Sequence, residues 1–137
     1  LRFRSGIYGL PETQDFLMLY YRTDICAELG IDPETDLETW DDIKSILPIL
    51  QSHSMNFGMP VPVVGGTLNL FTTLLYQMGG ELYVPDPDHQ YDGISTTFNQ
   101  EAALDAFKLW TDFYTVYGVP NAYDFSNWFR SGEMPIG

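Results

Sequence analysis

Two glycine pairs, Gly65-Gly66 and Gly79-Gly80, stand either side of an uncharged apolar segment within "VVGGTLNLFTTLLYQMGGELY". Glycines before a helix start are where backbone N–H groups cradle phosphates, so a nucleotide loop is the first chemistry to test. It fails: a phosphate loop ends in Gly-Lys-Ser/Thr, and no lysine occurs between Lys44 and Lys108. The dinucleotide fingerprint is short of its third glycine and would fall too late in the chain. What survives is a helix N-terminus with bare N–H groups facing a cleft, where glycine permits close approach.

Other reactive residues are sparse. Glu12 and Asp15 could form the carboxylate pair of a glycosidase, although two acids in a bend more often bind, cap or face water. Cys26, the single cysteine, falls on the pattern of an amphipathic helix and reads as a small buried hydrophobe. His53 and His89 stand alone in loop-like contexts. "DHQYDG" echoes a calcium loop through Asp88, Asp92 and Gly93, but Gln90 and Asn99 occupy positions that should carry charge. No Gly-x-Ser-x-Gly elbow occurs. No metal site, cofactor site or catalytic centre is expected.

Six Lys and Arg against nineteen Asp and Glu give a net charge of -13 over 137 residues. Such a surface repels nucleic acid and anionic lipid, so no nucleic-acid partner is expected. With 45% apolar and 15% aromatic residues, the chain has ample material for a core. Nine Tyr, nine Phe and three Trp exceed what that core needs, and Tyr and Trp suit sugar rings and extended neutral ligands. No apolar run approaches the roughly 18 residues of a membrane span. The chain lacks an initiator Met and opens in mid-pattern, and it is expected to be part of a longer protein.

The elements that must position these residues alternate. Ile7 to Leu10 and Phe16 to Tyr21 read as buried strands around the polar bend "ETQD". "DICAELG" reads as a short helix stopped by Gly30. Thr39 and Asp42 have capping-box spacing, which starts a helix at Trp40 with Ile43, Ile46, Leu47 and Leu50 on one face. Pro48 then predicts a kink or an early stop.

"FGMPVPVV" reads as a non-central strand because of Pro60 and Pro62. Thr67 or Asn69 would cap the next helix, and Gly79-Gly80 would end it. "GELYV" and "GISTTF" read as two strands. Asn99 is expected to cap a helix whose apolar stripe is Ala103, Phe107, Trp110, Tyr114 and Tyr117, with Trp110 and Phe107 in the core. "DFSNWFRSG" gives a last short helix. The pattern predicts one α/β layered domain over 1–137 without internal repeats.

Five stretches, taken in order, resemble a known family: "YGLPETQDFLMLYYRTDICAELGID", "TWDDI", "LLYQMGGELY", "FNQEAALDAFKLWTDFY" and "FRSGEMPIG". They are similar to the extracellular solute-binding proteins of ABC importers, in the carbohydrate-type branch that includes the maltodextrin-binding proteins. The resemblance implies a segment of the C-terminal lobe, an α/β lobe of the periplasmic-binding-protein type that closes on solute against an N-terminal lobe. It implies a small-molecule solute, carbohydrate above others, and the transmembrane subunits of an ABC permease as partners. It also implies an extracellular, membrane-anchored or periplasmic location, as in a lipoprotein.

By the same resemblance, solute contacts fall on Glu12, Thr13 and Gln14 in the bend and on the helix start at Gly65, Gly66, Thr67 and Asn69. Tyr123 corresponds to an aromatic platform. "YYRTD" stands where the family has "YYNKD", and Arg22 is expected to face solvent. The returning strand after Gly137, with any ligand aromatic beyond it, falls outside this sequence.

Rival readings are a glycoside-processing enzyme using Glu12 and Asp15, a peptide- or polyamine-type binding protein, and a sensor or adhesion module acting through the acidic loop Asp32 to Asp42.

Overall fold

The computed structural model describes residues 2–3, 6–10, 12, 17–60, 68–88 and 90–137. The chain mixes helix and strand: β1 (Arg2–Phe3), β2 (Gly6–Ile7), α1 (Thr23–Leu29), α2 (Trp40–Ser52), α3 (Leu68–Gln77), β3 (Tyr83–Asp86), β4 (Gln90–Thr96), α4 (Glu101–Thr115) and α5 (Phe125–Ser131). Its residues divide into two compact units, Leu1–Leu17 with Leu68–Trp110 and Met18–Thr67 with Thr111–Gly137.

In the first unit β1 pairs antiparallel with β2, Arg2 opposite Ile7. β3 and β4 pair as an antiparallel hairpin that extends past the expected strands "GELYV" and "GISTTF" toward each other, with Asp86 opposite Gln90 and a register shift between Tyr83 and Pro85. That shift falls where Pro85 has no N–H to give the ladder. Leu70, Phe71, Leu74 and Leu75 of α3 are buried, as are Ala103, Ala106 and Leu109 of α4.

The second glycine pair ends α3, and each glycine has its own reason. Gly79 adopts φ 76, the left-handed region that closes a helix. Its N–H and that of Gly80 reach back to the carbonyls of Tyr76 and Leu75. Gly80 is there for space, since a Cβ would collide with the Leu75 side chain. The expected cap at the other end does not form at Asn69, which lies inside the first turn because α3 begins at Leu68. Thr67 lies outside the described residues.

The apolar stripe of α4 is turned from its expected position. Phe107 is 53% exposed, and the buried line is Ala103, Ala106, Leu109 and Phe113. Ala103 is common to both lines; apolar residues occur on several sides of this helix, and the buried line turns from Ala103 toward Ala106 and Leu109 instead of Phe107. Trp110, expected in the core, is partly buried, its ring tilted against Phe71 at 6.2 Å. The helix also starts later than expected. Gln100 supplies the first acceptor carbonyl, to Ala103 and Leu104, leaving Asn99 one residue short of the cap.

The second unit is built around Phe113, which is fully buried. Trp40 meets it edge-on at 5.5 Å, Phe57 stacks at 6.1 Å, and Tyr117 lies tilted at 5.9 Å. α2 begins at the expected residue. The Thr39 hydroxyl accepts from the Asp42 N–H, and the Asp42 carboxylate accepts from the Thr39 N–H, completing the capping box. Thr39→Ala is therefore expected to cost about 1 kcal/mol of stability, measured by urea unfolding. Unchanged stability would mean that the box contributes nothing.

α2 runs unbroken through Pro48 to Ser52, so no early stop occurs. Ile43, Ile46, Leu47 and Leu50 are all buried. At roughly 1.5–3 kcal/mol apiece, these four outweigh the roughly 3 kcal/mol penalty of an internal proline.

The expected strands at the chain start are corrected. Ile7, Tyr8 and Leu10 are exposed, and only Gly6–Ile7 pairs. Leu17 to Tyr21 are 39–52% exposed. Tyr21 makes a single antiparallel bridge to Ile136, whose other side bridges Phe57 in parallel. Tyr20 and Gly137 exchange N–H···O bonds of 2.7 and 2.9 Å, and the Arg22 N–H reaches the Pro135 carbonyl. The segment Met134 to Gly137 thus lies between two neighbours, as a central strand does. Phe57 is the only residue of "FGMPVPVV" that bridges among those described. Phe16 and residues 61–64 lie outside them.

Candidate functional site

Of the residues expected to meet a solute, Thr13, Gln14, Gly65, Gly66 and Thr67 lie outside the described residues. Glu12 is exposed. Asn69 sits in the first turn of α3. Glu12 and Asn69 belong to the first unit and Tyr123 to the second.

Tyr123 has the fullest surroundings. It is half-buried just before α5, where Asp124 caps the helix by accepting from the Asn127 N–H at 3.1 Å. Its ring stacks on Trp128 at 5.8 Å with 30° between the planes. Its hydroxyl donates to the Met59 carbonyl, so the ring, and not the O–H, is what remains for a ligand. Burial pushes its pKa up to about 12; the bond to Met59 acts the other way, and nearby Tyr114 adds to the rise. Tyr123 therefore stays a neutral ring over the physiological range. Stacking covers one face of each ring, so what Tyr123 can present is its opposite face, apolar and uncharged, which suits the C–H face of a ring-shaped neutral ligand.

α5, which carries Trp128, is held at both ends. Near its start, Phe125 lies over the crossing of Gly58 and Gly137, where a Cβ on either glycine would come within 3 Å of the Phe125 ring. At its end, Gly132 takes φ 87, and the Phe129 and Arg130 carbonyls accept from the Arg22 Nη1 at 3.2 and 3.1 Å.

Arg22, expected to face solvent, does so only in part. Its side chain is 30% exposed, and its Nε and Nη2 also fork onto Asp24 at 2.8 and 2.5 Å. Arg22 is the N-cap of α1 without capping it through its side chain, and Asp24 in the first turn joins the pair to that helix start. The paired guanidinium holds the Asp24 carboxyl down to about 2. Sequence reasoning missed Arg22 because its acceptors lie 107 and 108 residues away, beyond any local pattern.

Cys26 is buried on α1 as expected, and burial pushes its thiol pKa up, away from a reactive thiolate. The acidic loop is largely engaged with itself. Asp36 accepts from the Asp32 N–H and Asp32 from the Glu34 N–H, while Asp41 pairs with Lys44 at 2.7 Å. His53 is exposed and bonds through Nδ1 at the end of α2, with the Ile49 carbonyl at 3.0 Å. Among the described residues no three His, Cys, Asp or Glu side chains gather to hold a metal ion. No described helix is long and apolar enough to cross a membrane.

No family model matches the chain. Over 134 residues it is 25% identical to the probable amino-acid ABC transporter periplasmic-binding protein y4oP of Sinorhizobium fredii (strain NBRC 101917 / NGR234). The match covers 95% of this chain and 29% of that protein, so the chain spans less than a third of the relative's length. The similarity supports a solute-binding protein of an ABC importer and does not reach a sugar-specific branch.

Proposed function

We propose that this chain is a lobe segment of the solute-binding component of an ABC importer, with 1–137 forming one α/β lobe of the periplasmic-binding-protein type. The observation that carries the reading is the similarity to a periplasmic-binding protein over 95% of the chain. The mechanism is closure: solute bridges this lobe and an N-terminal lobe, the closed form gains population, and permease transmembrane subunits receive it. No covalent step and no cofactor enters. The full-length protein works outside the cytoplasmic membrane, periplasmic or membrane-anchored.

The solute we propose is a sugar or oligosaccharide. Tyr123, backed by Trp128, supports this by offering an apolar ring. Glu12, Thr13 and Gln14 would supply polar contacts, and the helix start at Gly65, Gly66, Thr67 and Asn69 would supply N–H groups. An amino acid is a second reading, favoured by the name of the similar protein.

The test is a thermal-shift screen of the full-length protein against maltose, maltotriose, the standard amino acids, short peptides and polyamines. A bound solute at a hundred times its Kd stabilises by about 2.7 kcal/mol, a shift of several degrees. A rise with sugars alone is the expected result, and Gly66→Val is expected to weaken it at least tenfold in affinity. A rise with an amino acid, peptide or polyamine and none with sugar makes the carbohydrate assignment wrong. If nothing shifts the protein, the importer reading loses its support.

A further inference from the structure

We infer that Arg22 is a positioning residue for the solute platform. It locks the end of α5 to the start of α1 and thereby fixes the Tyr123–Trp128 ring pair carried at and before that helix. The inference rests on the reading of Tyr123 as a ligand residue, but the geometry behind it is independent of any ligand.

Four donor–acceptor contacts leave one guanidinium. Two form a fork on Asp24, at 2.5 and 2.8 Å, and two go to the Phe129 and Arg130 carbonyls at 3.2 and 3.1 Å. The carbonyls belong to the last turn of α5, where acceptors have no intrahelical partner and a cation is favoured. The carboxylate fixes the fork's orientation, because planar guanidinium and planar carboxylate meet in one geometry. Arg22's own N–H meanwhile bonds to the Pro135 carbonyl, so its backbone is anchored to the segment that follows α5.

A seven-residue helix has little stability of its own and takes its orientation from its anchors. Phe125 supplies one at the start and Arg22 the other at the end. Trp128 sits between them, its N–H bonded to the Asp124 carbonyl and its carbonyl to the Met134 N–H. Loss of the Arg22 anchor leaves the helix free to turn about Phe125, which would carry Trp128 out of register with Tyr123. A lysine cannot replace it, since one ammonium has no fork to serve the carboxylate and two carbonyls at fixed angles.

The experiment is hydrogen exchange on the full-length protein, comparing wild type, Arg22→Gln and Arg22→Lys, with maltotriose affinity measured alongside. Arg22→Gln is expected to speed exchange across Phe125–Ser131 about tenfold while α2 stays unchanged, with Arg22→Lys in between. Maltotriose affinity is expected to fall in the same order. Equal acceleration in α2 and α5 means a general loss of stability, and unchanged exchange in α5 means no anchor; either overturns the inference. Looser α5 with intact maltotriose affinity overturns the positioning role. If the wild type does not bind maltotriose, the sugar reading above is what fails. The exchange comparison still decides whether Arg22 anchors α5, and unchanged α5 exchange then overturns the inference.

Discussion

Phe113→Ala is expected to remove about 4 kcal/mol of stability, a large share of the roughly 5–15 kcal/mol typical of a folded domain. The residue has no exposed surface, and three rings converge on it: Trp40 from the first position of α2, Phe57 from the segment beside Ile136, and Tyr117 one turn on. Its own carbonyl accepts from the Val119 N–H at 2.9 Å, which turns the chain back after α4. Truncation leaves a void bounded by stiff rings on three separate segments, and none can move in without abandoning its other contacts. Phe113→Leu keeps most of the volume and is expected to cost about 1–2 kcal/mol. Urea unfolding followed by tryptophan emission, which includes Trp40, reads both. A loss below about 1 kcal/mol for the alanine variant would mean that this core closes up freely, and Phe113 would not be its centre.

Local rules explain which parts of this fold were legible from sequence. The capping box at Thr39 and Asp42, the buried face of α2 and the glycine stops at Gly30, Gly79 and Gly132 depend on residues within one or two turns of each other. Such signals survive in any tertiary context. The α4 stripe was legible only in part, because choosing among several apolar faces requires knowing what approaches the helix; Ala103 is buried as expected, but Ala106 and Leu109 are buried where Phe107 was expected. The early strands failed in another way. "FLMLYY" has the composition of a buried strand, yet its described residues pair only beside Gly137, and pairing partners are non-local by nature.

The candidate site divides along the same line. Tyr123 was singled out by the resemblance, as the counterpart of an aromatic platform, and in the structure its ring stacks on Trp128. Nothing adjacent in sequence could show that its hydroxyl is taken by Met59, 64 residues earlier. That bond changes the chemistry offered, from a donor to a bare ring face. Arg22 departs from expectation for the same reason: the resemblance placed it in solvent, but its guanidinium also meets carbonyls more than a hundred residues on. Glycine at 58 and 137 carried no local turn signal either, and there the spacing between backbones is what demands it.

Gly137→Ala is the sharper test of that crossing, and it is expected to cost about 2–3 kcal/mol. A Cβ at Gly137 would stand 2.8 Å from the Gly58 Cα and 2.6 Å from the Phe125 ring. The first neighbour is backbone, tied by the Gly58 N–H to the Ile136 carbonyl at 2.9 Å, so relief requires breaking that pairing. Gly58→Ala differs, because the atoms nearest its new Cβ are side-chain atoms, Met134 Sδ at 2.8 Å and Phe125 at 2.9 Å. Shortening one of them should relieve it. In a double-mutant cycle, Phe125→Leu is therefore expected to recover part of the Gly58→Ala loss and little of the Gly137→Ala loss. Gly30→Ala serves as the control for conformation without crowding: its φ is 71 with nothing near the added atom, and a cost of about 1 kcal/mol is expected. If Phe125→Leu rescued both glycine variants equally, the aromatic ring alone would set the fit. The backbone approach of Gly137 to Gly58 would then have no part in why the chain carries glycine at both positions.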